Sequence, residues 1–341
     1  MDAWIGRKIG LRAGIGLTRP ALEAYQLEML RRTIAMAKER SGFYAERLSG
    51  IDVDRDLRSL GDMARIPFSR EDDLRERGPR MACVPQSEVS RIVTLETSGS
   101  TGRPKRVFFT EADQELTIDF FHHGMKNLVD GSDTLLILLP CARPGSVGDL
   151  LRQGLERGGT AVLPYGQLPR DDGSEDGRVL ALIRERRVTS LVGGPVEIAR
   201  IARKCPEAGE SVRTALLSTE YVSEENISAI EGNWGCRVFE HYGTTESGLG
   251  GAVSCHVREG CHIREADLLF EIIEPDSGEP LPDGEWGEIV FTTLTRAAMP
   301  FIRYRIGDIG RFMPDPCACG SVLKRLDRVR DRAAGKGGGR R

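Results

Sequence analysis

Thr134-Leu-Leu-Ile-Leu-Leu139 is a short unbroken apolar run, residues 147–157 after it are amphipathic, and Thr160-Ala-Val-Leu163 is apolar again. A strand covered on both faces reads as such a run, and a covering helix reads as an apolar stripe at helical spacing. The alternation extends in both directions from this unit. Strands are expected at residues 91–95, 106–110, 190–192, 214–217 and 237–239, with helices over 112–128, 177–186 and 196–204. Repeated strand–helix alternation implies a largely parallel sheet with helices on its faces.

Upstream, residues 20–41 read as one helix. Pro20 suits its first turn, Leu27, Leu30, Ile34 and Ala37 recur at helical spacing, and Gly42 ends the pattern. A second helix is expected to start around Ser69-Arg-Glu-Asp-Asp. After Gly250 the style changes: residues 268–273 and 288–293 alternate as strands, separated by Pro275-Asp-Ser-Gly and Pro282-Asp-Gly-Glu. That pattern reads as an antiparallel sheet. The expected class is therefore α/β, a large N-terminal body of mostly parallel sheet with covering helices over 1–250, plus a smaller β-rich subdomain over 251–332. Residues 333–341 lack apolar periodicity and are expected to be a disordered tail.

With 341 residues, 29% charged, 40% hydrophobic and a net charge of −3, the chain lacks the basic excess of a nucleic-acid binder. It holds no apolar stretch long enough to span a bilayer, and its N-terminus is a poor signal peptide. A soluble cytoplasmic protein is expected. Of the eight cysteines, Cys83, Cys141, Cys205 and Cys236 stand singly among apolar neighbours, as small buried hydrophobes do. Cys255, Cys261, Cys317 and Cys319 lie near histidines or each other, and in a cytosolic chain such a group points to metal rather than disulfides.

Three stretches could carry chemistry. In the first, Thr97, Ser98, Gly99, Ser100, Thr101, Gly102, Arg103, Pro104 and Lys105 make a loop whose backbone N–H groups can approach a polyphosphate, with a lysine to balance charge. It is not a P-loop, because the Walker spacing is absent and β-prone Val107-Phe-Phe follows. The second, Glu240-His-Tyr-Gly-Thr-Thr-Glu-Ser247, comes directly after an expected strand, where parallel sheets bind ligands. There Glu246 can ligate Mg²⁺ and a threonine hydroxyl can bond a phosphate oxygen. The third is Met299-Pro-Phe-Ile-Arg-Tyr-Arg-Ile-Gly-Asp308, in which Arg303 and Arg305 would share one strand face and Asp308 could accept from both ribose hydroxyls.

In this order the three motifs resemble the superfamily of adenylate-forming enzymes, and within it the phenylacetate-CoA ligase branch. Ile66-Pro-Phe-Ser, Asp283-Gly-Glu-Trp-Gly-Glu-Ile-Val and Leu294-Thr-Arg-Ala-Ala-Met-Pro also look like that branch, and the likeness spans roughly residues 20–332. The resemblance implies ATP-dependent adenylation of a small, aromatic-type carboxylate, with coenzyme A as a candidate acceptor. It implies that residues 97–105 hold the β- and γ-phosphates, that Ser218, Thr219 and Glu220 with Glu240, His241 and Tyr242 surround the adenine of ATP or AMP, and that the adjoining Gly243 and Thr244 also belong to the nucleotide site. Thr245 would contact the α-phosphate, Glu246 would hold Mg²⁺, Asp308 would bind the ribose, and Arg332 would add a contact near it. The branch also carries a Cys…His…Cys-x-Cys group, matched here by Cys255, His262, Cys317 and Cys319 as ligands of a structural Zn²⁺, with Cys261 and His256 as alternatives. Phe120, Phe121, Tyr165 and Tyr242 are candidates for an aromatic acid pocket.

One departure from the family sets a further expectation. Relatives continue beyond Arg332 into a mobile C-terminal domain that supplies a lysine, whereas here Ala333-Ala334 and a Gly-rich tail with Lys336 follow. The expected consequences are a thioester step that needs a separate protein partner or acceptor thiol, a homodimer across the face left open, or a nucleotide- and acid-binding protein without full turnover.

Overall fold

The computed structural model describes residues 1–95, 104–170 and 172–332. They form two units, one of residues 1–114, 244–248 and 263 onward, the other of residues 115–243 and 249–262. The change of strand style at Gly250 thus falls inside a stretch that packs with the parallel sheet. No helix among the described residues is long and apolar enough to cross a membrane.

The first unit opens with helices α1 (Asp2–Lys8), α2 (Arg19–Arg40), α3 (Gly42–Arg47), α4 (Val53–Asp56) and α5 (Glu71–Met81). Thr18 caps α2 by accepting from the Ala21 N–H, with Pro20 in the first turn. Leu22, Leu30, Ile34 and Ala37 form its buried stripe, and Gln26 within the stripe donates to the Glu265 carbonyl at 2.9 Å. The helix ends at Arg40 rather than at the glycine. Ser41 turns extended and caps α3, whose first residue is Gly42. Strands β1 (Arg91–Leu95) and β2 (Lys105–Phe109) pair antiparallel with Leu95 opposite Lys105. Lys105 therefore opens a strand that was expected to start at Arg106. The intervening Thr97, Ser98, Gly99, Ser100, Thr101 and Gly102 lie outside the described residues.

Helix α6 (Glu111–Gly124) leads into the second unit. There β3 (Thr134–Leu138), α7 (Val147–Glu156), β4 (Ala161–Pro164), α8 (Asp176–Glu185), β5 (Ser190–Gly193), α9 (Pro195–Lys204), β6 (Thr214–Leu217), α10 (Glu224–Trp234) and β7 (Arg237–Tyr242) alternate as expected. β8 (Ala252–Ser254) and β9 (Cys261–Ile263) follow, and the sheet order is β9-β8-β7-β6-β5-β3-β4. The strands from β7 to β4 run parallel, while β8 is antiparallel to β7. Every residue of β5 and β6 is buried, which explains their unbroken apolar runs. Ile183, Ile198, Ile201, Ile230 and Trp234 from the helices close over Leu136, Leu191, Ala215 and Val238 from the strands.

The chain then completes the first unit with β10 (Leu268–Ile273), β11 (Gly287–Thr293), β12 (Tyr304–Gly310), β13 (Arg325–Leu326) and β14 (Asp331–Arg332). The order β10-β11-β12-β14 is antiparallel throughout, with a bulge between Glu288 and Val290. Phe291 centres its aromatic core, 5.7 Å from Tyr304 and 6.0 Å from both Phe270 and Phe301. Asp308 stands opposite Arg332 in the pairing of β12 with β14.

Ile198 is fully buried in the core of the second unit. Ile198→Ala should lower stability by about 2–5 kcal/mol through lost burial and the cavity left behind. Urea unfolding followed by tryptophan fluorescence measures this, Trp234 lying in the same core; an unchanged midpoint would contradict the packing described.

Candidate active site

Within the first unit, Glu246 is the centre of the polar network. Its turn is set locally: the Ser247 N–H donates to the Thr244 hydroxyl at 3.1 Å, and the Thr244 N–H donates to the Ser247 hydroxyl at 3.0 Å. The motif is thus a hydroxyl-locked turn and starts no helix. Thr245, half-buried, sits at its tip. The Glu246 carboxylate, 7% exposed, accepts from the Lys105 ammonium at 2.9 Å. Lys105 also reaches Glu71 at 3.4 Å, so one ammonium serves two acids. The Tyr304 hydroxyl donates to the same Glu246 oxygen at 3.5 Å. Burial, and then the nearby charge of Glu246, push the Tyr304 phenol far above its ordinary range, so it stays a proton donor.

Beneath this turn lies Arg296. One guanidinium nitrogen donates to the Glu246 main-chain carbonyl at 2.7 Å and the other to the Phe108 carbonyl at 3.0 Å. Burial pulls its pKa down to about 10, which leaves it charged at neutral pH. Arg264 donates to the Ser247 carbonyl at 3.0 Å and holds the far side of the turn. Asp308 is half-buried on β12. Arg303 precedes that strand with φ +44°, so the expected strand shared with Arg305 starts one residue too late for it. Both guanidiniums nonetheless lie over the Phe68 ring, at 4.0 and 5.3 Å. Arg303 is bound to Glu271 and Arg305 to Glu288, which gives both arginines structural partners.

In the second unit, Ser218-Thr-Glu220 follows β6 at the carboxyl end of a parallel strand. Thr219 adopts φ +76°, a strained conformation for a β-branched residue, and Glu220 accepts from Arg170 at 3.2 Å. Glu240, His241 and Tyr242 were expected after a strand; they are its last three residues, because Glu240 pairs with Leu217 of β6 and β7 then pairs with β8, His241 opposite Val253 and Tyr242 opposite Ala252. Gly243 follows where the chain doubles back. A Cβ there would lie 2.9 Å from the Leu249 carbonyl and 3.0 Å from the Gly250 Cα, so only glycine fits without a shift. The Ser218 hydroxyl and His241 Nδ1 are 2.9 Å apart on the wall of an apolar pocket lined also by Phe120, Phe121, Leu151 and Leu216. Tyr165 and Tyr242 do not line it, and Tyr165 instead bonds Glu175.

Cys255 and His262 of the second unit and Cys317 of the first are buried, and Cys319 is half-buried. Cys261 donates its thiol to the Glu240 carbonyl at 3.4 Å, and His256 is exposed. Among the isolated cysteines, burial pushes the Cys83 thiol up to about 12 and the Cys236 thiol up to about 11. Cys141, expected to be buried, is only half so. Sequence reading missed Tyr304, Glu71 and Arg296 as members of the network. Tyr304 and Arg296 sit inside motifs it had quoted, but no local signal says that they meet Glu246.

The family model for AMP-binding enzymes matches residues 51–296. A phenylacetate-coenzyme A ligase of Thermus thermophilus is 32% identical over 326 residues, 91% of this chain and 70% of that one. A phenylacetate-coenzyme A ligase of Escherichia coli is 29% identical over 324 residues, covering 92% of this chain and 71% of its own length. The solved structure of 2-hydroxyisobutyryl-CoA ligase in complex with 2-HIB-AMP and CoA shares the fold, with a TM-score of 0.83 at 22% identity over 93% of this chain and 69% of that one. The chain belongs to the AMP-binding enzyme family and is an adenylate-forming ligase of the acyl-CoA ligase type.

Replacing Lys105 by Met leaves the Glu246 carboxylate buried without its cation and should destabilise the chain by roughly 1–3 kcal/mol. Adding Glu246→Gln should recover part of that loss. A double-mutant cycle by urea unfolding should give a coupling of about 0.5–3 kcal/mol, and strictly additive losses would show the pair to be idle.

Proposed function

We propose that the chain activates a small carboxylic acid as its acyl-adenylate and passes the acyl group to the sulfur of coenzyme A, the thiol losing its proton and AMP leaving as the acyl carbon–oxygen bond breaks. A carboxylate oxygen attacks the α-phosphorus of ATP, the new bond is acyl oxygen to phosphorus, and pyrophosphate leaves with the bridging oxygen. Two anions must approach, so the residues act by alignment and charge neutralisation rather than by a nucleophile of their own. The loop of residues 97–102 and Lys105 take the β- and γ-phosphates, Thr245 bonds the α-phosphate, and Asp308 accepts from the ribose hydroxyls with Arg332 beside it. Ser218, Thr219, Glu220, Glu240, His241 and Tyr242 surround the adenine, the adjoining Gly243 and Thr244 belong to the nucleotide site, and the apolar pocket beside Phe120 and Phe121 receives the acid's side chain. That lining suits an aromatic or compact apolar acid.

The observation that carries this reading is Glu246, a buried carboxylate paired with the Lys105 ammonium. Lys105 stands where a cation is wanted, and the carboxylate is the donor type Mg²⁺ takes. Mg²⁺ bound there would spread the charge of the phosphates. The test is carboxylate-dependent exchange of labelled pyrophosphate into ATP across a panel of aryl and short aliphatic acids. Exchange with at least one acid is expected, and Asp308→Ala should raise KM for ATP at least about tenfold, as the loss of hydrogen bonds to a charged group does. Silence across the panel, together with no ATP binding, overturns the reading.

Cys255, His262, Cys317 and Cys319 are proposed to hold a structural Zn²⁺. Three thiolates and one imidazole are the closed donor set that zinc takes in structural sites. The burial of His262 favours it over exposed His256, and the thiol of Cys261 is engaged by a carbonyl. Metal analysis of chain purified without chelator should find about one zinc per chain, and Cys317→Ser should lose it and lower the melting midpoint. Protein free of stoichiometric metal would overturn the assignment.

A further inference from the structure

Arg296 has no part in the chemistry proposed above, yet it is 6% exposed and holds a full charge in the interior of the first unit. Burying a guanidinium is unfavourable unless its donors and its charge are used. Here one side of the fork takes the carbonyl of Glu246 at 2.7 Å and the other takes the carbonyl of Phe108 at 3.0 Å. Its flat face lies over Phe109 at 4.2 Å and Phe301 at 5.3 Å. Phe108 and Phe109 are on β2, the strand whose first residue is Lys105.

One side chain therefore ties the backbone of the strand that carries Lys105 to the backbone of Glu246. The spacing of this lysine and this carboxylate is set by main-chain anchors as well as by their own ion pair. The segment after Arg296 is itself pinned, because Asp113 accepts from the Ala297 N–H at 2.7 Å and the Ala298 N–H at 3.0 Å. Asp113 also accepts from the Thr110 N–H at 2.9 Å, at the end of the same strand. Lysine at 296 would keep the charge but could reach only one of the two carbonyls.

We propose that Arg296 is a positioning residue for Glu246, fixing through two main-chain carbonyls where that carboxylate stands relative to β2 and Lys105. The proposal rests on the reading of Glu246 as the Mg²⁺ ligand, and its test separates the two. Mn²⁺ serves as the probe, its free concentration read by electron paramagnetic resonance with saturating ATP against the same ATP without protein, since ATP itself chelates the ion, for the full chain and for Glu246→Gln and Arg296→Lys. Melting midpoints and the KM for the acid are measured on the same samples. Wild-type chain that takes up no Mn²⁺, or Glu246→Gln that takes it up equally well, overturns the ligand reading and the proposal with it.

If Glu246→Gln weakens Mn²⁺, Arg296→Lys is expected to weaken it about tenfold, the usual effect of losing an outer-shell partner, with the acid's KM unchanged. Wild-type Mn²⁺ affinity in Arg296→Lys, whatever its midpoint, would reduce Arg296 to a structural residue and overturn the proposal. Should Arg296→Lys fail to fold, Asp113→Asn decides. It leaves the guanidinium in place while loosening the segment behind it, and it should weaken Mn²⁺ several-fold; undiminished affinity there overturns the proposal equally.

Discussion

A carboxylate withdrawn from water must find a positive charge or a set of donors beside it, and in the first unit that demand falls on Glu246. The way it is met explains why residues far apart in the chain are held where they are. Lys105 opens β2, Tyr304 opens β12, and Arg296 comes from the connection between β11 and β12. Lys105 and Tyr304 meet its carboxylate and Arg296 its main-chain carbonyl, so β2, β12 and the turn are tied to one another. An apolar residue at 246 would remove the electrostatic demand on Lys105 and Tyr304 while leaving the main-chain carbonyl that Arg296 holds.

The second unit answers a different constraint. Parallel strands leave their carboxyl ends together, and the loops after β6 and β7 emerge side by side. Ser218 and His241 meet across that edge, above a pocket otherwise built from helices α6 and α7 and from strand residues. The strain at Thr219 and the glycine required at 243 are concentrated on the same edge. Backbone that must bend sharply to leave a strand is suited to presenting polar atoms to a ligand, because its own ladder has ended.

Most of the architecture was legible because burial leaves a period in the sequence. Strands β1, β6 and β10 begin and end at the expected residues, and helices α7 to α9 shift by only a residue, whereas α6 ends at Gly124, four residues before the expected end. What was illegible depends on partners distant in sequence. β7 runs on through Glu240 because it pairs with Leu217 of β6, and through His241 and Tyr242 because β8 pairs with them, and nothing in those residues announces β8. Alternating charge suggested that Arg303 and Arg305 flank Tyr304 on one strand, but a left-handed turn at Arg303 sends it inward to Glu271. Arg296 was visible only as a letter in a familiar motif; its meaning depends on a carbonyl fifty positions earlier. The site residues quoted from the motifs were legible as residue types, whereas the network that orients them was not.

The rung that sets Asp308 against Arg332 joins the end of the described chain to the strand bearing that carboxylate, and a further bond runs from the Arg330 N–H to the Ile309 carbonyl at 3.0 Å. Two neighbouring rungs are what the described residues show of this strand's pairing with β12. β14 turns what would be the open edge of β12 at Asp308 and Ile309 into paired backbone, so amide exchange at these positions reports whether β14 is seated.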